Sequence, residues 1–141
     1  MNRYAVISQG ANMTALKKAF EKAYQLGEGH VCILTSSFDQ FKGSIIAEYL
    51  GKKVVNGLVK RKTVDNDEIN FSLYSYRTVR NSDIKGTVLA LWGQPDKIES
   101  LLSGCGTINN IVWLSWSAEL GDSWANKHGA EVVFRHDKKM V

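Results

Sequence analysis

Residues 109–134 read NNIVWLSWSAELGDSWANKHGAEVVF, and this stretch decides the fold class. An apolar run opens it, a longer segment that reads as a helix follows, and a second apolar run closes it at residues 130–134. Small hydroxyl side chains at Ser115 and Ser117 mark the change from strand to helix, because serine is common where helices begin. The stretch therefore predicts a strand, a helix and a second strand, which is the repeating unit of a parallel sheet.

The same alternation covers most of the remaining chain. Further apolar runs predict strands at residues 4–8, 30–37 and 87–93. Helical patterns follow these runs from Asn12 to Gly27, from Ser37 to Gly51 and from Pro95 to Gly104. The order predicts a Rossmann-like α/β fold, a three-layer sandwich in which helices cover both faces of a mainly parallel sheet.

Two segments depart from this alternation. Residues 69–80 have a period of two, since Ile69, Phe71 and Leu73 alternate with polar side chains. This pattern predicts an antiparallel or edge strand with one face in water. Residues 52–64 are compatible with a helix or with a hairpin that turns at an Asn-Gly pair, and we favour the helix.

Length and composition favour one α/β domain over residues 1–141, with a frayed tail at 135–141. Hydrophobic residues make up 44% of the chain and charged residues 23%, which excludes the composition of disordered proteins. We find no apolar run long enough to span a membrane and no signal peptide, so we expect a cytoplasmic protein without membrane contact. Cys32 and Cys105 have neither metal-like nor disulfide-like spacing.

Strand-to-helix turns collect at one edge of a parallel sheet, beyond the carboxyl ends of the strands, where ligands bind. Here these turns carry small, hydroxyl and amide residues next to helix N-termini, which favour anions. We therefore predict that this edge binds a phosphate-bearing small molecule or a nucleotide. The candidate ligand-binding residues are Ser8, Gln9, Gly10, Asn12, Thr35, Ser36, Ser37, Gly93, Gln94, Ser115, Trp116 and Ser117. The alternative is that they only cap helices, since caps prefer the same residue types.

The motifs of known nucleotide sites are absent from the sequence. Neither G-x-G-x-x-G nor G-x-x-x-x-G-K-[ST] occurs, so no cofactor is predicted. Cysteine or histidine catalysis is also not expected, because His30, His128 and Cys105 fall at the opposite edge and His136 in the tail. We therefore predict that the carboxyl edge binds a ligand, and we identify no catalytic group there.

Four acids are predicted to lie in the first turns of helices at the carboxyl edge: Asp39, Asp96, Glu119 and Asp122. They give an alternative function, a metal-dependent phosphoesterase or nuclease-like hydrolase in which carboxylates hold Mg²⁺. The simpler interpretation is that acids in a first helical turn complement the helix dipole. We favour the simpler interpretation, because no acid follows the first strand.

A third function is an interaction module for protein or nucleic acid. Residues 52–62 hold five cations and no acid, which suits an anionic partner, although the acids at 65–68 offset their charge. The strand at 69–80 could also pair with itself in a homodimer if its edge is free. The alternatives are a solvated basic face and a monomer.

Tryptophans lie near two of the predicted strand ends. Alternation along 111–116 places Trp113 with Ile111, and Trp116 on the opposite face with Val112. We interpret Trp116 as a core residue under the last helix, because large aromatic side chains dominate protein cores. The alternative is that Trp92 or Trp116 is a platform on which a base or an adenine ring stacks.

Overall fold

A single sheet runs through the molecule, with helices on both of its faces. The computed structural model describes residues 2–38, 41, 45–66, 69–75, 86–93, 95–102 and 108–135. The strands are β1 Asn2–Ile7, β2 His30–Thr35, β3 Thr63–Asn66, β4 Ile69–Ser75, β5 Gly86–Leu91, β6 Ile108–Leu114 and β7 Glu131–Arg135. The helices are α1 Met13–Gly27, α2 Ile45–Leu50, α3 Lys52–Arg61, α4 Pro95–Leu102 and α5 Ala118–His128.

The strand order is β3-β4-β2-β5-β6-β1-β7. All neighbours pair in parallel except β3 and β4, which are antiparallel. The predicted α/β fold, with a mainly parallel sheet and one antiparallel pair, is confirmed. Among the described helices, none is long and apolar enough to cross a membrane.

The central strands β2, β5, β6 and β1 contribute alternate side chains to two separate hydrophobic clusters. On one face, which we call the α1 face, Leu16 of α1 and Leu58 of α3 pack with Leu89 of β5. On the other, the α5 face, Ile98 of α4 and Trp124 of α5 pack with Trp113 of β6. Residues of both clusters are almost fully buried, as expected for a parallel sheet covered on both sides.

The segment at 52–64 is a helix, as predicted, over Lys52–Arg61. The alternation predicted from residue 69 is also confirmed, with Phe71 and Leu73 buried between partly exposed neighbours. The expectation that this strand has a free edge is wrong, however. The four-residue strand β3 covers the outer side of β4, so the edges of the described sheet are β3 and β7. Homodimer formation through β4 therefore loses its physical basis; residues 76–80 lie outside the described part.

Close approach fixes α5 on the carboxyl ends of β1 and β6. A Cβ atom built on Gly121 would lie 2.8 Å from Ser115 Oγ and 3.1 Å from the side chain of Ile7. Real Cβ atoms do not come so close to a neighbour, so only glycine fits at this point of α5. The helix can therefore rest directly on the point where the two strands end.

We expect Gly121→Ala to destabilise the fold by about 1–2 kcal/mol. Alanine would gain about 1 kcal/mol in helix propensity, but overpacking against two buried neighbours costs about 1–3 kcal/mol or more. The exposed Asn126 lies on the same helix, and Asn126→Ala should be neutral or slightly stabilising. Urea unfolding of both variants checks this, and equal stability of the two would contradict the close contact.

Candidate ligand site at the carboxyl edge

The connections that leave the strands diverge at the carboxyl edge. α1 follows β1 onto the α1 face, whereas α5 follows the neighbouring strand β6 onto the α5 face. The same divergence occurs between the neighbours β2 and β5, which lead to α2 and α4. Such points, where adjacent strands send their helices to opposite faces, are where ligands bind in open α/β sheets.

Hydrogen bonds join the turns after β1 and β6, and we call this contact the β1–β6 junction. Ser115 Oγ accepts from the Ser8 N–H at 2.9 Å and donates to the Ser8 carbonyl at 3.1 Å. Further out, the Gly10 N–H donates to the Trp116 carbonyl at 2.7 Å. Ser8 and Ser115 are fully buried, so in this structure the Ser115 hydroxyl holds two turns together and is closed to solvent.

Several predicted ligand residues cap helices instead. Asn12 Oδ1 accepts from the Ala15 N–H at 2.8 Å, and Ser117 Oγ accepts from the Leu120 N–H at 3.4 Å. Gln9 Oε1 crosses from the other turn and accepts from the Ala118 N–H at 2.9 Å. The start of α5 is thus largely satisfied by the protein itself.

At the turn after β2, Thr35 is buried and its hydroxyl donates to the Ser37 carbonyl at 3.4 Å, whereas Ser36 is exposed. Gly93, after β5, is partly exposed and has a φ of 83°. Gln94 lies outside the described residues. The edge therefore keeps only part of the predicted set accessible.

The start of α1 differs from that of α5. No acceptor among the described residues pairs with the N–H groups of Met13 and Thr14, and the first turn of α1 contains no acid. By contrast, Glu119 lies in the first turn of α5. The positive end of the α1 dipole is therefore left without a complementary charge.

Ser8 lies directly after β1 and four residues before the Asn12 cap of α1. Ser8 Oγ is fully buried and has no hydrogen-bond partner among the described residues. Buried polar groups normally have partners, so a buried hydroxyl without one is unusual at this turn.

Trp116 is 51% exposed. Its interpretation as a core residue is therefore wrong, because it lies beyond Leu114, the last residue of β6, where strand alternation no longer applies. The core position under α5 is filled by Trp113 and Trp124, whose rings are 5.3 Å apart.

Trp92 supports the exposed ring. The two indoles meet edge to face, with centroids 5.6 Å apart and planes at 87°. Trp92 has a φ of 57°, which is rare for a bulky residue. Its backbone is held on both sides, since its N–H donates to the Leu114 carbonyl at 2.8 Å and its carbonyl accepts from Trp113 Nε1 at 2.9 Å. The platform formed by Trp116 and Trp92 is thus fixed by the neighbouring strand.

The acids proposed for a metal site do not come together. Asp96 lies 3.8 Å from Lys127, in the last turn of α5. Asp122 lies beyond the first turn of α5, and a two-point hydrogen bond from Arg135 lowers the pKa of its carboxyl. Asp39 is outside the described residues. In the part of the chain that can be searched, no group of three or more metal-ligating side chains occurs.

The described histidines lie at the amino edge, as predicted. His30 Nε2 lies 3.4 Å from Cys32 Sγ, but both residues belong to the amino-terminal half of β2 and Cys32 is buried. His128 ends α5, 4.0 Å from Glu99. Cys105 and His136 lie outside the described residues. Among the histidines and cysteines that the structure describes, no pair lies at the carboxyl edge.

Sequence reasoning missed an ion pair at the amino edge. Arg3 donates from Nε and Nη2 to the two carboxylate oxygens of Glu99 at 2.7 and 2.9 Å, and Trp124 Nε1 donates to the same carboxylate at 3.2 Å. The hydrogen bonds from Arg3 are the main cause of a lowered pKa at Glu99. No local signal reveals this pair, because its partners are 96 positions apart.

The Arg3–Glu99 pair predicts a specific pH dependence of stability. Because the folded pKa of Glu99 lies below its ordinary value of 4.5, its contribution is complete above that value and is lost as the pH falls toward the lowered pKa. We expect Glu99→Gln to be less stable than wild type at pH 7 and to lose less stability on acidification. Urea unfolding at several pH values checks this. Glu21→Gln, at an exposed pair with Lys18, should behave like wild type.

Substitutions of the two buried serines of the junction should have opposite effects on the stability of the fold. Ser8→Ala removes a hydroxyl without a described partner and should stabilise the free protein by about 1 kcal/mol. Ser115→Ala leaves the Ser8 N–H unpaired in the interior and should destabilise it by about 1–3 kcal/mol. The free energy of unfolding in urea measures both. If Ser8→Ala is as destabilising as Ser115→Ala, the Ser8 hydroxyl is not available to a ligand.

No protein-family model, curated protein or solved structure matches the chain.

Proposed function

We propose that the carboxyl edge binds a phosphate-bearing small molecule, and a nucleotide in particular. The observation that carries the proposal is the exposed ring of Trp116, supported edge to face by Trp92. An indole held in this way offers a flat apolar surface to a base. Stacking of a base on an aromatic side chain contributes about 1–3 kcal/mol.

We propose that the phosphate binds at the start of α1. The N–H groups of Met13 and Thr14 are without described acceptors, the first turn has no acid, and the buried Ser8 hydroxyl, four residues before the Asn12 cap, is without a described partner. A helix of 15 residues presents a full dipole at this end. N–H donors, a positive dipole and a hydroxyl are the groups that hold phosphates at helix N-termini.

The proposed base and phosphate positions are connected by a backbone hydrogen bond. The Gly10 N–H is bonded to the Trp116 carbonyl, and Gly10 lies two residues before the Asn12 cap of α1. A φ of 69° at Gly10 gives the tight turn between them. One small ligand can therefore contact both positions. The proposal assigns binding and no chemical step, since the acids described near this edge form no metal-ligating group.

We expect Trp116→Ala to weaken nucleotide binding by roughly 10- to 100-fold, because it removes the stacking contact. Because the protein contains other tryptophans, its fluorescence does not isolate the contribution of Trp116. Binding should therefore be measured by calorimetry with AMP and GMP. Val132→Ala is the matched control, because Val132 is the other large hydrophobic side chain that is exposed among the described residues. It should leave affinity unchanged.

A thermal-shift panel separates the two halves of the site. A nucleotide at 100 times its Kd stabilises by about 2.7 kcal/mol, which raises the melting temperature by roughly 8 °C in a domain of this size. Inorganic phosphate alone should give a smaller shift that is lost in Ser8→Ala, whereas a nucleoside should still respond to Trp116. Absence of any shift with nucleotides, nucleosides and phosphate would refute the proposal.

A further inference from the structure

We propose that the ligand of this edge extends into a single strand of nucleic acid, whose bases stack on Trp116 and whose phosphates contact the last turn of α3. The inference rests on the proposed function for its base position. It adds a second contact region, formed by Lys60, Arg61 and Lys62, which we call the basic turn. Cationic side chains combined with aromatic platforms are the usual means of binding single strands.

The antiparallel strand β3 brings the basic turn to the ligand edge. Because β3 runs against the other strands, its first residue, Thr63, pairs with Ser72 in the middle of β4, and the chain before it continues toward the carboxyl end of β4. The Lys62 carbonyl accepts from the Leu73 N–H at 2.9 Å. The Lys62 ammonium lies 4.0 Å from the ring centroid of Phe38, directly after the turn that follows β2. The basic turn therefore lies beside the carboxyl ends of β4 and β2.

The charges of the basic turn are not balanced by described acids. All three side chains are exposed, and no carboxylate in the described part of the chain forms an ion pair with them. The nearest described acid in sequence, Asp65, accepts a hydrogen bond from Asn70 at 2.7 Å. Lys62 Nζ donates to the Val59 carbonyl and so complements the helix end, which leaves Lys60 and Arg61 as the cations without a described acceptor. The surplus suits a polyanion.

The spacing between the two contact regions fits several nucleotides. From β4 through β2 and β5 to β6 there are three strand intervals, which amount to about 14 Å at about 4.8 Å each. A strand of nucleic acid advances about 3.4 Å or more per nucleotide, so roughly four nucleotides cover this distance. The exposed Ser36 lies between the two regions and offers a hydroxyl group to the nucleic-acid backbone.

A matched pair of double variants tests the inference. Lys60→Gln with Lys62→Gln removes two charges from the basic turn, and Lys52→Gln with Lys53→Gln removes two exposed charges from the other end of α3. Fluorescence anisotropy with a labelled octanucleotide, and calorimetry with AMP, measure binding to full-length protein. We expect wild type to bind the octamer at least 10-fold more tightly than AMP. Unfolding in urea confirms that both variants are folded.

In the first variant the octamer should bind at least 10-fold more weakly than in wild type, while AMP binding stays unchanged. The slope of log affinity against log salt should become shallower by about 1.4, at about 0.7 per lost phosphate contact. The control variant should match wild type on all three measures. Trp116→Ala should weaken binding of both the octamer and AMP.

Other outcomes distinguish this inference from the proposed function. An octamer that binds no better than AMP, or a control variant that loses as much as the first, would overturn the inference and leave the nucleotide site intact. Inorganic polyphosphate that binds as tightly as the octamer, with no effect of Trp116→Ala, would also overturn it. If neither AMP nor the octamer binds to wild type, the proposed function is wrong as well.

Discussion

The β1–β6 junction is the constraint on which the ligand edge depends. Pairing between these strands continues beyond their last residues because the Ser115 hydroxyl takes the place of a backbone group and bonds both the N–H and the carbonyl of Ser8. Gly121 lets α5 rest on this point from one face, while α1 starts on the other. The two helices that leave neighbouring strands are thereby held apart at their starts, and the space between them is what a ligand would enter.

The same junction explains why a tryptophan stays in water. The backbone of Trp116 is held by the Gly10 N–H, and the core beneath α5 is filled by Trp113 and Trp124. The ring has no interior position to occupy and leans on Trp92 instead. Apolar surface left in water is unfavourable by about 25 cal/mol per Å². Any flat group that covered the ring would recover this free energy.

Hydrophobic periodicity predicted the layers, the parallel strands and the helix over 52–61, because each is encoded in a run of neighbouring residues. It missed β3, whose four residues are too few to show a period, and with it the cover over β4. At the ligand edge, topology predicted which turns meet. It did not separate Ser8 from Gln9, which are both small or polar and adjacent. One is buried by a partner 107 positions away and the other caps α5, so their roles depend on packing that the local sequence does not contain.

Charge distribution distinguishes the two edges more clearly than the net charge of +4 does. At the amino edge Arg3 is paired with Glu99, and Lys22 lies 3.9 Å from Glu131. At the carboxyl edge the basic turn has no such partner among the described residues, and α1 begins without an acid. Interactions between exposed charges are screened within about 8–10 Å at physiological salt. The ion pairs at the amino edge therefore have little effect on the charges at the carboxyl edge. The basic turn and the exposed Trp116 ring therefore lie at the same edge of the sheet.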